Sequence, residues 1–427
     1  MTSDGLPLEG LTNWSGNVTY GAARLHEPGS LDELQAIVRS ARSLRVLGSR
    51  HSFSAIADTP GDLVSLRRLP RRFELDPARA TVTVDGAVRY GELGERLDAA
   101  GFALHNLASL PHISVAGACA TATHGSGDRS GNLATAVRSV EVVTADGELV
   151  RFDRDVDGRV FEGVVVSLGG LGAVTSLTLD VAPTFRMRQD LYENLPMARV
   201  VTEFDEITAS ADSVSLFTEW RGGGFEQVWL KRRVMVDDGF EPAPDFFGAT
   251  RATGPIHPIP GMPTTAVTEQ LGSPGPWHER MPHFRMDHTP SSGAELQSEY
   301  LVPREHVADA LLALDAIRTR FARLVQTSEV RTIAADRLWM STAEGRASAA
   351  IHFTWRPDET GVRAVLPDIE AALLRFQPRP HWGKCFSLAP EIVRASYRYL
   401  AEFGELLRRH DPEGVFRNPF LDRYIPG

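Results

Sequence analysis

The sequence has little cysteine and no concentrated positive charge, and each absence argues against a class of protein. Its two cysteines, Cys119 and Cys385, lie far apart along the chain, so they cannot form the disulfide framework of a small secreted domain. No block of Lys and Arg stands out, and 55 acidic residues against 45 basic ones give a formal net charge of −10. The composition therefore argues against a nucleic-acid partner.

The sequence also shows no pattern typical of a targeting segment or of a membrane-spanning segment. The first residues, MTSDGLPLEG, lack the basic and apolar regions of a secretory signal peptide. The most apolar window, residues 164–182, is interrupted by glycines and rich in β-branched residues, which indicates two buried strands around a turn and not a membrane span. We therefore expect a cytoplasmic protein with no membrane partner, and we expect it to be a monomer.

Three common site motifs are absent. The chain holds no G-x-G-x-x-G after a strand, no G-x-x-x-x-G-K-[ST] and no G-x-S-x-G, so the sequence supports neither a Rossmann site, nor a P-loop, nor a nucleophile elbow. In HERMPH, residues 278–283, the histidine spacing differs from H-E-x-x-H and Pro282 interrupts a helix. We predict no metal site there, but an ordinary loop with exposed imidazoles.

The first part of the chain alternates between helix and strand patterns. Ser30 and Glu33 have capping-box spacing at the start of the helical stretch 30–41. A second helix is predicted in YGELGERLDAAG, which ends at Gly101. SVEVVTADGELVRF reads as a β-hairpin with Asp146-Gly147 at its turn. We predict an α/β domain that spans residues 1–184.

After residue 184 the pattern changes. Strand-like pieces are followed by a stretch rich in Pro, Gly and His, residues 240–293, which predicts a long surface excursion or lid. Next come the helical stretch EHVADALLALDAIRTRFARLV and the strand candidates AELQSEYLV, SEVRTIAA, SAAIHFTW and HWGKCFSL. Strands mixed with helices predict an α+β domain, to which we assign residues 185–405.

Two stretches of small residues could contact an anionic cofactor. GSRHS at 48–52 and SVAGACATATHGSG at 114–127 would present backbone N–H groups of the kind that bind a pyrophosphate without a Rossmann helix. Tight packing of a helix on a sheet explains the same composition equally well. His51 is likewise open to two interpretations, because a lone imidazole is more often a surface or capped residue than a nucleophile.

Polar residues recur with a period of two inside apolar strand patterns. Gln297 with Glu299, Glu329 with Arg331, and His352 with Thr354 each share one face of a strand, and Lys384 follows in HWGK. A solvent-facing sheet surface is the simple interpretation of any one pair. If several such faces meet, they would instead form a pocket for a ligand with many hydroxyl groups.

Seven stretches together resemble one known family. VLGSRHSFSAIADT, NLASLPHISVAGACATATHGSG, SLGGLGAVTSLTLD, SSGAELQSEYLVPREH, EVRTIAAD, HFTW and RPHWGK occur in this order and are similar to the alditol-oxidising members of the vanillyl-alcohol oxidase family of FAD enzymes. The resemblance runs from about residue 12 to about residue 420. It implies an α+β flavoprotein of two domains, with an FAD-binding domain of two α/β subdomains and an α+β substrate cap built on an antiparallel sheet. Residues 406–427 would return to the FAD domain.

The resemblance also implies roles for individual residues. His51 matches the histidine that is joined covalently to the flavin 8α-methyl carbon. The other positions that match FAD contacts are Gly48, Ser49, Arg50, Ser52, Ser109, Ser114, Gly117, His124, Gly125, Gly172, Val174 and Asn418. The positions that match polyol contacts are Ser109, Gln297, Glu329, Arg331, His352, Thr354 and Lys384. Arg331 and Lys384 are the expected catalytic cations. Arg50 departs from the family pattern, in which a glycine often precedes the histidine.

The activity that the resemblance implies is oxidation of the terminal primary hydroxyl of an alditol to the aldose, with reduction of O2 to H2O2. Xylitol, sorbitol and glycerol are the expected substrates. Three alternatives stay open: a sugar-lactone or aldose oxidase of the same family, a flavin dehydrogenase with another electron acceptor, and a flavin-binding protein without catalysis. The sequence does not identify the group that accepts the hydroxyl proton.

Overall fold

The computed structural model describes residues 6–7, 10–234, 239–289 and 291–427. Its strands are β1 Leu6–Pro7, β2 Arg24–His26, β3 Leu44–Val46, β4 Asp62–Val64, β5 Phe73–Asp76, β6 Thr81–Asp85, β7 Phe102–Ala103, β8 Val137–Val143, β9 Leu149–Asp153, β10 Ala173–Asp180, β11 Ala182–Pro183, β12 Arg186–Pro196, β13 Ser213–Thr218, β14 Gly224–Val234, β15 Asp245–Phe246, β16 Ala249–Arg251, β17 Gly275–Pro276, β18 Leu296–Pro303, β19 Val325–Ile333, β20 Ser348–Trp355 and β21 Arg379–Pro380. Its α-helices are α1 Leu31–Ser40, α2 Tyr90–Ala99, α3 Val115–Ala120, α4 Arg154–Asp157, α5 Arg159–Val164, α6 Met197–Ala209, α7 Val307–Phe321, α8 Glu359–Leu373, α9 Pro390–Ala395, α10 Leu400–His410 and α11 Pro419–Tyr424.

The first domain contains two sheets with helices between their strands. One sheet has the order β1-β2-β4-β3, with β2 and β3 parallel to β4, and the other has the order β5-β6-β10-β8-β9 with antiparallel neighbours. Helix α1 begins as predicted, because Ser30 accepts a hydrogen bond from the backbone N–H of Glu33 while the carboxylate of Glu33 accepts one from Gly29. The Asp146-Gly147 hairpin is confirmed by the pairing of β8 with β9.

The second domain is built on one large antiparallel sheet. Its order is β15-β16-β12-β14-β13-β19-β20-β18-β21, with β17 paired to β12. Helices α6, α7 and α8 pack together and against this sheet. In β20, Phe353 and Trp355 contact Phe321 of α7, so the alternating residues His352 and Thr354 point to the opposite face. That face lies toward the first domain. The predicted fold class, α+β with two domains and a cap on an antiparallel sheet, is confirmed.

Two predicted strand regions are wrong. In the apolar window 164–182 the predicted turn forms, with φ angles of 70° at Gly169 and 146° at Gly172, and the second strand is β10. The first strand does not form, because helix α5 extends to Val164 and turns follow it. A side chain at Gly172 would also place its Cβ 2.4 Å from the carbonyl oxygen of Val143. HWGKCFSL forms a turn and not a strand, since its backbone turns to bond the first domain through Phe53 N–H and the carbonyl of Gly383, 2.7 Å apart.

The stretch 240–293, expected to be a surface excursion or lid, is a mixture of exposed and buried residues. Its described residues, which leave out Pro290, include the buried side chains of Trp277 and Phe284. The indole N–H of Trp277 donates to the carbonyl oxygen of Phe102 at 3.2 Å. Because some of its apolar side chains pack against the first domain, the stretch covers part of the space between the two domains, while other residues such as Pro260 and Gly261 face solvent. No helix in the described ranges is long and apolar enough to cross a bilayer.

The C-terminal segment packs against the first domain. Asn418 caps α11 by accepting from the N–H of Leu421, and its own amide donates to the carbonyl oxygen of Asp58 at 2.7 Å. The predicted boundary between residues 405 and 406 falls inside α10, and this helix contacts α5 of the first domain. We therefore propose to place that boundary before Leu400, whereas the predicted boundary after residue 184 falls between β11 and β12.

Candidate active site

A deep cleft separates the first domain from the polar face of the large sheet. It holds about 1450 Å³ of empty space, a figure that includes space open to solvent. One wall comes from residues 45–57 and 108–124, and the other comes from β18, β19, β20 and the turn at 381–384. The cleft therefore runs between the two domains and is lined by residues of both.

His51 enters the cleft from a sharp turn after β3. Arg50, the residue before it, has a φ angle of 62°, in the left-handed region that glycine adopts most easily. Two contacts hold Arg50 there: its carbonyl accepts from Trp14 N–H at 2.8 Å, and its guanidinium donates to the carbonyl oxygen of Thr12 at 3.1 Å. These contacts explain how this chain tolerates arginine where the family often has glycine.

The imidazole of His51 is held in a state suited to bond formation. It stacks on Trp14 with ring centroids 5.6 Å apart, and its Nδ1 is buried with no hydrogen-bond partner in the described residues. Burial, followed by the nearby His112, lowers the pKa of His51 to about 4. The ring is therefore neutral at pH 7, so one of its two nitrogens carries a free lone pair. This is the form in which imidazole acts as a nucleophile.

The two stretches of small residues meet at Ser114. A Cβ on Gly48 or on Gly117 would lie 2.8 Å from the hydroxyl oxygen of Ser114, and the N–H of Ser114 donates to Ser49 Oγ at 3.1 Å. A side chain at either glycine would require the Ser114 hydroxyl to rotate away. The same packing leaves backbone and hydroxyl groups of both loops lining the cleft, so these residues fit a bound FAD.

The cleft brings together most, but not all, of the residues predicted to contact FAD. Those that line it are Gly48, Ser49, Arg50, His51, Ser52, Ser109, Ser114, Gly117 and His124. Gly125, Gly172, Val174 and Asn418 do not line it. Gly125 packs against Asn106 and Leu107. Gly172 lies in the turn before β10 and Val174 lies in β10 itself, while Asn418 caps helix α11.

Ser109 lies on the first wall, and every other residue predicted to contact the polyol lines the wall formed by the large sheet and the turn at 381–384. The strand register aligns them in two rows across β18, β20 and β19. The first row holds Glu299, His352 and Glu329, and the second holds Gln297, Thr354 and Thr327. Adjacent positions in a row are about 5 Å apart, so each row forms a continuous polar surface.

Glu299 lies at the centre of the charged groups. Its Oε2 is 2.7 Å from Lys384 Nζ, and its Oε1 is 2.9 Å from Arg331 Nη2 and 3.4 Å from His124 Nε2. Burial alone would raise the pKa of this carboxyl group, but Lys384, His124 and Arg331 hold it well below its usual range. Glu299 was not among the predicted site residues, although its alternation with Gln297 was a usable signal.

Lys384 and His352 form a second contact in the cleft. Lys384 Nζ lies 2.8 Å from His352 Nδ1, and because an ammonium group only donates, Nδ1 must accept. His352 Nε2 then carries the proton and donates to Thr354 Oγ1 at 3.1 Å. Burial lowers the pKa of both Lys384 and His352. Lys384 therefore reaches the cleft as a partly buried cation, from which both Glu299 and His352 accept.

Arg331 connects the large sheet to the first domain. Its Nη1 donates to Ser109 Oγ at 3.2 Å, and its Nε is 3.5 Å from Glu329 Oε2. Burial alone would lower the pKa of Arg331, but Glu329 and Glu299 raise it above its ordinary value. Arg331 is therefore a permanent positive charge fixed between the two domains.

His283 was missed by the sequence analysis. The expected exposed imidazole is 4% exposed, and its Nε2 lies 2.8 Å from Glu329 Oε1 inside the cleft. No local pattern indicated this contact, because the partner of His283 is far away along the chain. In the part of the chain that the structure describes, no cluster of His, Cys, Asp or Glu could hold a metal ion.

Comparison with known proteins agrees with this geometry. Residues 22–153 match the family described as FAD binding domain, and residues 292–424 match the family described as D-arabinono-1,4-lactone oxidase. An alditol oxidase from Streptomyces sp. is 50% identical over 98% of this chain and 99% of its own length. An L-gulono-1,4-lactone dehydrogenase from Mycobacterium tuberculosis is 29% identical over 97% of this chain and 98% of its own length. A cholesterol oxidase structure from B. sterolicum has a TM-score of 0.77 at 14% identity, covers 97% of this chain and 96% of its own chain, and shows the shared fold alone.

An FAD-binding domain, a cap on an antiparallel sheet and a charged cleft between them define a flavin-dependent oxidoreductase. The 50% identity to alditol oxidase over nearly the whole of both chains identifies the family more closely. The chain belongs to the vanillyl-alcohol oxidase family, in the same branch as that enzyme.

Proposed function

We propose that this protein oxidises the terminal primary hydroxyl of an alditol such as xylitol, sorbitol or glycerol to the aldose. The observation that carries the proposal is the buried polar face opposite His51, where Lys384 and Arg331 flank Glu299. A substrate with many hydroxyl groups can satisfy such a face, whereas an apolar substrate would leave its donors and acceptors unpaired. The 50% identity to alditol oxidase supports the same substrate class.

We further propose that the FAD is covalently bound through His51. The buried and unpaired Nδ1 and the lowered pKa of the ring support this attachment. Gly48, Ser114 and Gly117 would lie along the cofactor, since they line the cleft on the side of His51. When bound, FAD would supply the two-electron redox chemistry: a hydride from the substrate carbon, together with the hydroxyl proton, would reduce O2 to H2O2.

The charged residues of the chain would bind and polarise the reacting hydroxyl. Lys384 and Arg331 present fixed positive charge to an oxygen that gains negative charge as its proton leaves. Glu299 stays ionised and holds both cations in place. Because the positions of these groups are set before substrate arrives, little reorganisation is needed during the reaction.

The remaining polar residues would orient the rest of the polyol. Ser109, Gln297, Glu329, His352 and Thr354 line the same cleft. His352 donates to Thr354 and accepts from Lys384, so its ring is fixed in one tautomer. A substrate hydroxyl that meets this surface finds donors and acceptors in defined positions, which favours one orientation of the chain.

A second candidate is the oxidation of a sugar lactone. The match of residues 292–424 to D-arabinono-1,4-lactone oxidase and the similarity to a lactone dehydrogenase favour it. The visible spectrum of the purified protein, recorded before and after anaerobic addition of each compound, separates the two. We expect xylitol and sorbitol to bleach the flavin faster than L-gulono-1,4-lactone. The reverse order would favour the lactone, and slow reoxidation in air would indicate a dehydrogenase with another acceptor.

We also propose that the protein is a cytoplasmic monomer. Both cysteines are free thiols, and burial raises the pKa of Cys119 to about 12 and that of Cys385 to about 11. Unreactive free thiols suit a reducing compartment. Analytical ultracentrifugation tests the monomer and cell fractionation tests the location.

A further inference from the structure

A buried lysine lies behind the polyol wall of the cleft. Lys231 on β14 is 0% exposed, and its Nζ contacts three acceptors: the carbonyl oxygens of Met281 and Pro282, at 2.6 and 3.0 Å, and His283 Nδ1, at 2.9 Å. Among the described residues, no carboxylate lies within salt-bridge distance of it. Burial of a lysine is unfavourable, so contact with two carbonyl groups alone gives little reason for a lysine at this position.

The three contacts fix the protonation of His283. An ammonium group has three N–H donors and no acceptor, so His283 Nδ1 must accept from Lys231. Burial, followed by the charge of Lys231, lowers the pKa of His283 to about 4, and the neutral ring then carries its single proton on Nε2. That proton points to Glu329 Oε1, 2.8 Å away. Lys231 at Nδ1 and the Glu329 carboxylate at Nε2 therefore together hold His283 in the tautomer that donates to Glu329.

Glu329 in turn faces the polyol side of the cleft. Its other oxygen, Oε2, lies 3.5 Å from Arg331 Nε, and both residues line the cleft together with His283. We propose that Lys231 and His283 are positioning residues for polyol binding: the ammonium group of Lys231 holds His283 in the Nε2–H tautomer, which orients the Glu329 carboxylate toward the substrate hydroxyls. This inference rests on the proposed alditol oxidation.

The chain of contacts predicts a pH dependence. Lys231 is faced by His283, by the Glu329 and Arg331 charges on β19, and by the ring of Trp229 at 5.9 Å. Burial lowers the pKa of Lys231 to about 7, against a weaker opposing effect of Glu329. When Lys231 loses its proton, its neutral amine can also accept from Nδ1–H, so His283 can move its proton to Nδ1 and its hydrogen bond to Glu329 weakens. The KM for xylitol is therefore expected to rise as the pH increases above about 7.

Two substitutions separate this role from a structural one. Lys231→Met keeps the length of the apolar stem of the side chain and removes the ammonium group. His283→Gln places an amide N–H where Nε2–H lies, so it still donates to Glu329 but has no tautomer for Lys231 to fix. Thr268→Val is the matched control, because Thr268 Oγ1 donates to the same Pro282 carbonyl at 2.8 Å and does not contact the imidazole.

We expect Lys231→Met to raise the KM for xylitol by roughly tenfold, because it weakens the hydrogen bond from His283 to the ionised Glu329. The kcat and the flavin content should change little. The KM of His283→Gln for xylitol should stay within about threefold of the wild-type value. This variant should also lose the rise of KM above pH 7, since an amide does not titrate. Adding Lys231→Met to His283→Gln should then have little further effect. If Lys231→Met is as harmful in the His283→Gln background as in wild type, or if Thr268→Val has the same effect, the lysine serves only to hold the loop and the proposal is wrong.

Nitrogen NMR of the holoenzyme with ¹⁵N-labelled histidine provides a readout that needs no turnover. The His283 signals, identified by their loss in His283→Gln, should show the Nε2–H tautomer at pH 6 and a shift toward Nδ1–H on deprotonation of Lys231. The tautomer would be unchanged between pH 6 and pH 9 if Lys231 does not control it. This measurement stands even if Lys231→Met fails to fold. Failure of xylitol to bleach the wild-type flavin would instead contradict the proposed function.

Discussion

The ammonium nitrogen of Lys384 lies 2.7 Å from Oε2 of Glu299, and this contact joins two parts of the fold. Lys384 belongs to a turn bonded to the His51 loop through Phe53 and Gly383, whereas Glu299 lies on β18 of the large sheet. Arg331 binds the other oxygen of the same carboxylate at 2.9 Å. One buried anion therefore sets the spacing of both cations that face the substrate.

Replacing Lys384 by Met should lower kcat for xylitol by roughly 10²–10³-fold, because a preorganised positive charge at the reacting oxygen is lost. The content of covalent flavin should stay the same, since Lys384 has no contact with His51. Steady-state kinetics at equal flavin concentration measure the change. Arg304→Met is the control: it removes a cation paired with Asp128 outside the cleft and should leave kcat unaltered. An unaltered kcat in Lys384→Met would remove this residue from the mechanism.

Replacing Glu299 by Gln should destabilise the protein at neutral pH by about 3–5 kcal/mol, because two buried cations lose their shared anion. The loss should shrink in acid. A carboxylate whose pKa folding lowers contributes stability above its ordinary value of 4.5, and this contribution is lost as the pH falls toward the lower pKa of the folded state. Thermal unfolding of both proteins between pH 3 and pH 7 tests this. A Tm difference that is independent of pH would contradict the ionised state of Glu299.

Replacing His51 by Ala should abolish covalent attachment of the flavin. Acid precipitation of wild type is expected to give a yellow pellet, whereas the variant should release free FAD into the supernatant. His112→Gln is the control, because His112 lies beside His51 with ring centroids 6.5 Å apart and bonds instead to the carbonyl oxygen of Met286. Free flavin from acid-treated wild type would show that the bond to His51 does not exist.

Local signals in the sequence predicted much of the fold and of the site. Helix α1, the β8–β9 hairpin and the polar faces of β18, β19 and β20 depend on residues close together in sequence, so their patterns were sufficient. His283 could not be predicted, because its role depends on Glu329 and Lys231, which reach it only through the fold. In the window 164–182 the turn and the second strand were predicted, but the first strand was wrong because helix α5 extends to Val164 and turns follow it.

The two polar rows of the large sheet predict how the cleft discriminates between alditols of different length. The second row, with Gln297 and Thr354, lies two residues further along the strands than Glu299 and His352, which is about 7 Å. If the reacting hydroxyl lies near Lys384 and Arg331, glycerol contacts the first row alone, while xylitol and sorbitol extend to the second. Thr354→Val should therefore raise the KM for sorbitol by roughly three- to tenfold, the usual effect of losing one neutral hydrogen bond, and leave the KM for glycerol nearly unchanged.

Because Thr354 also accepts from His352, Gln297→Leu provides an independent test in the same row. Equal increases for glycerol and sorbitol in both variants would show that the substrate does not extend along the strands.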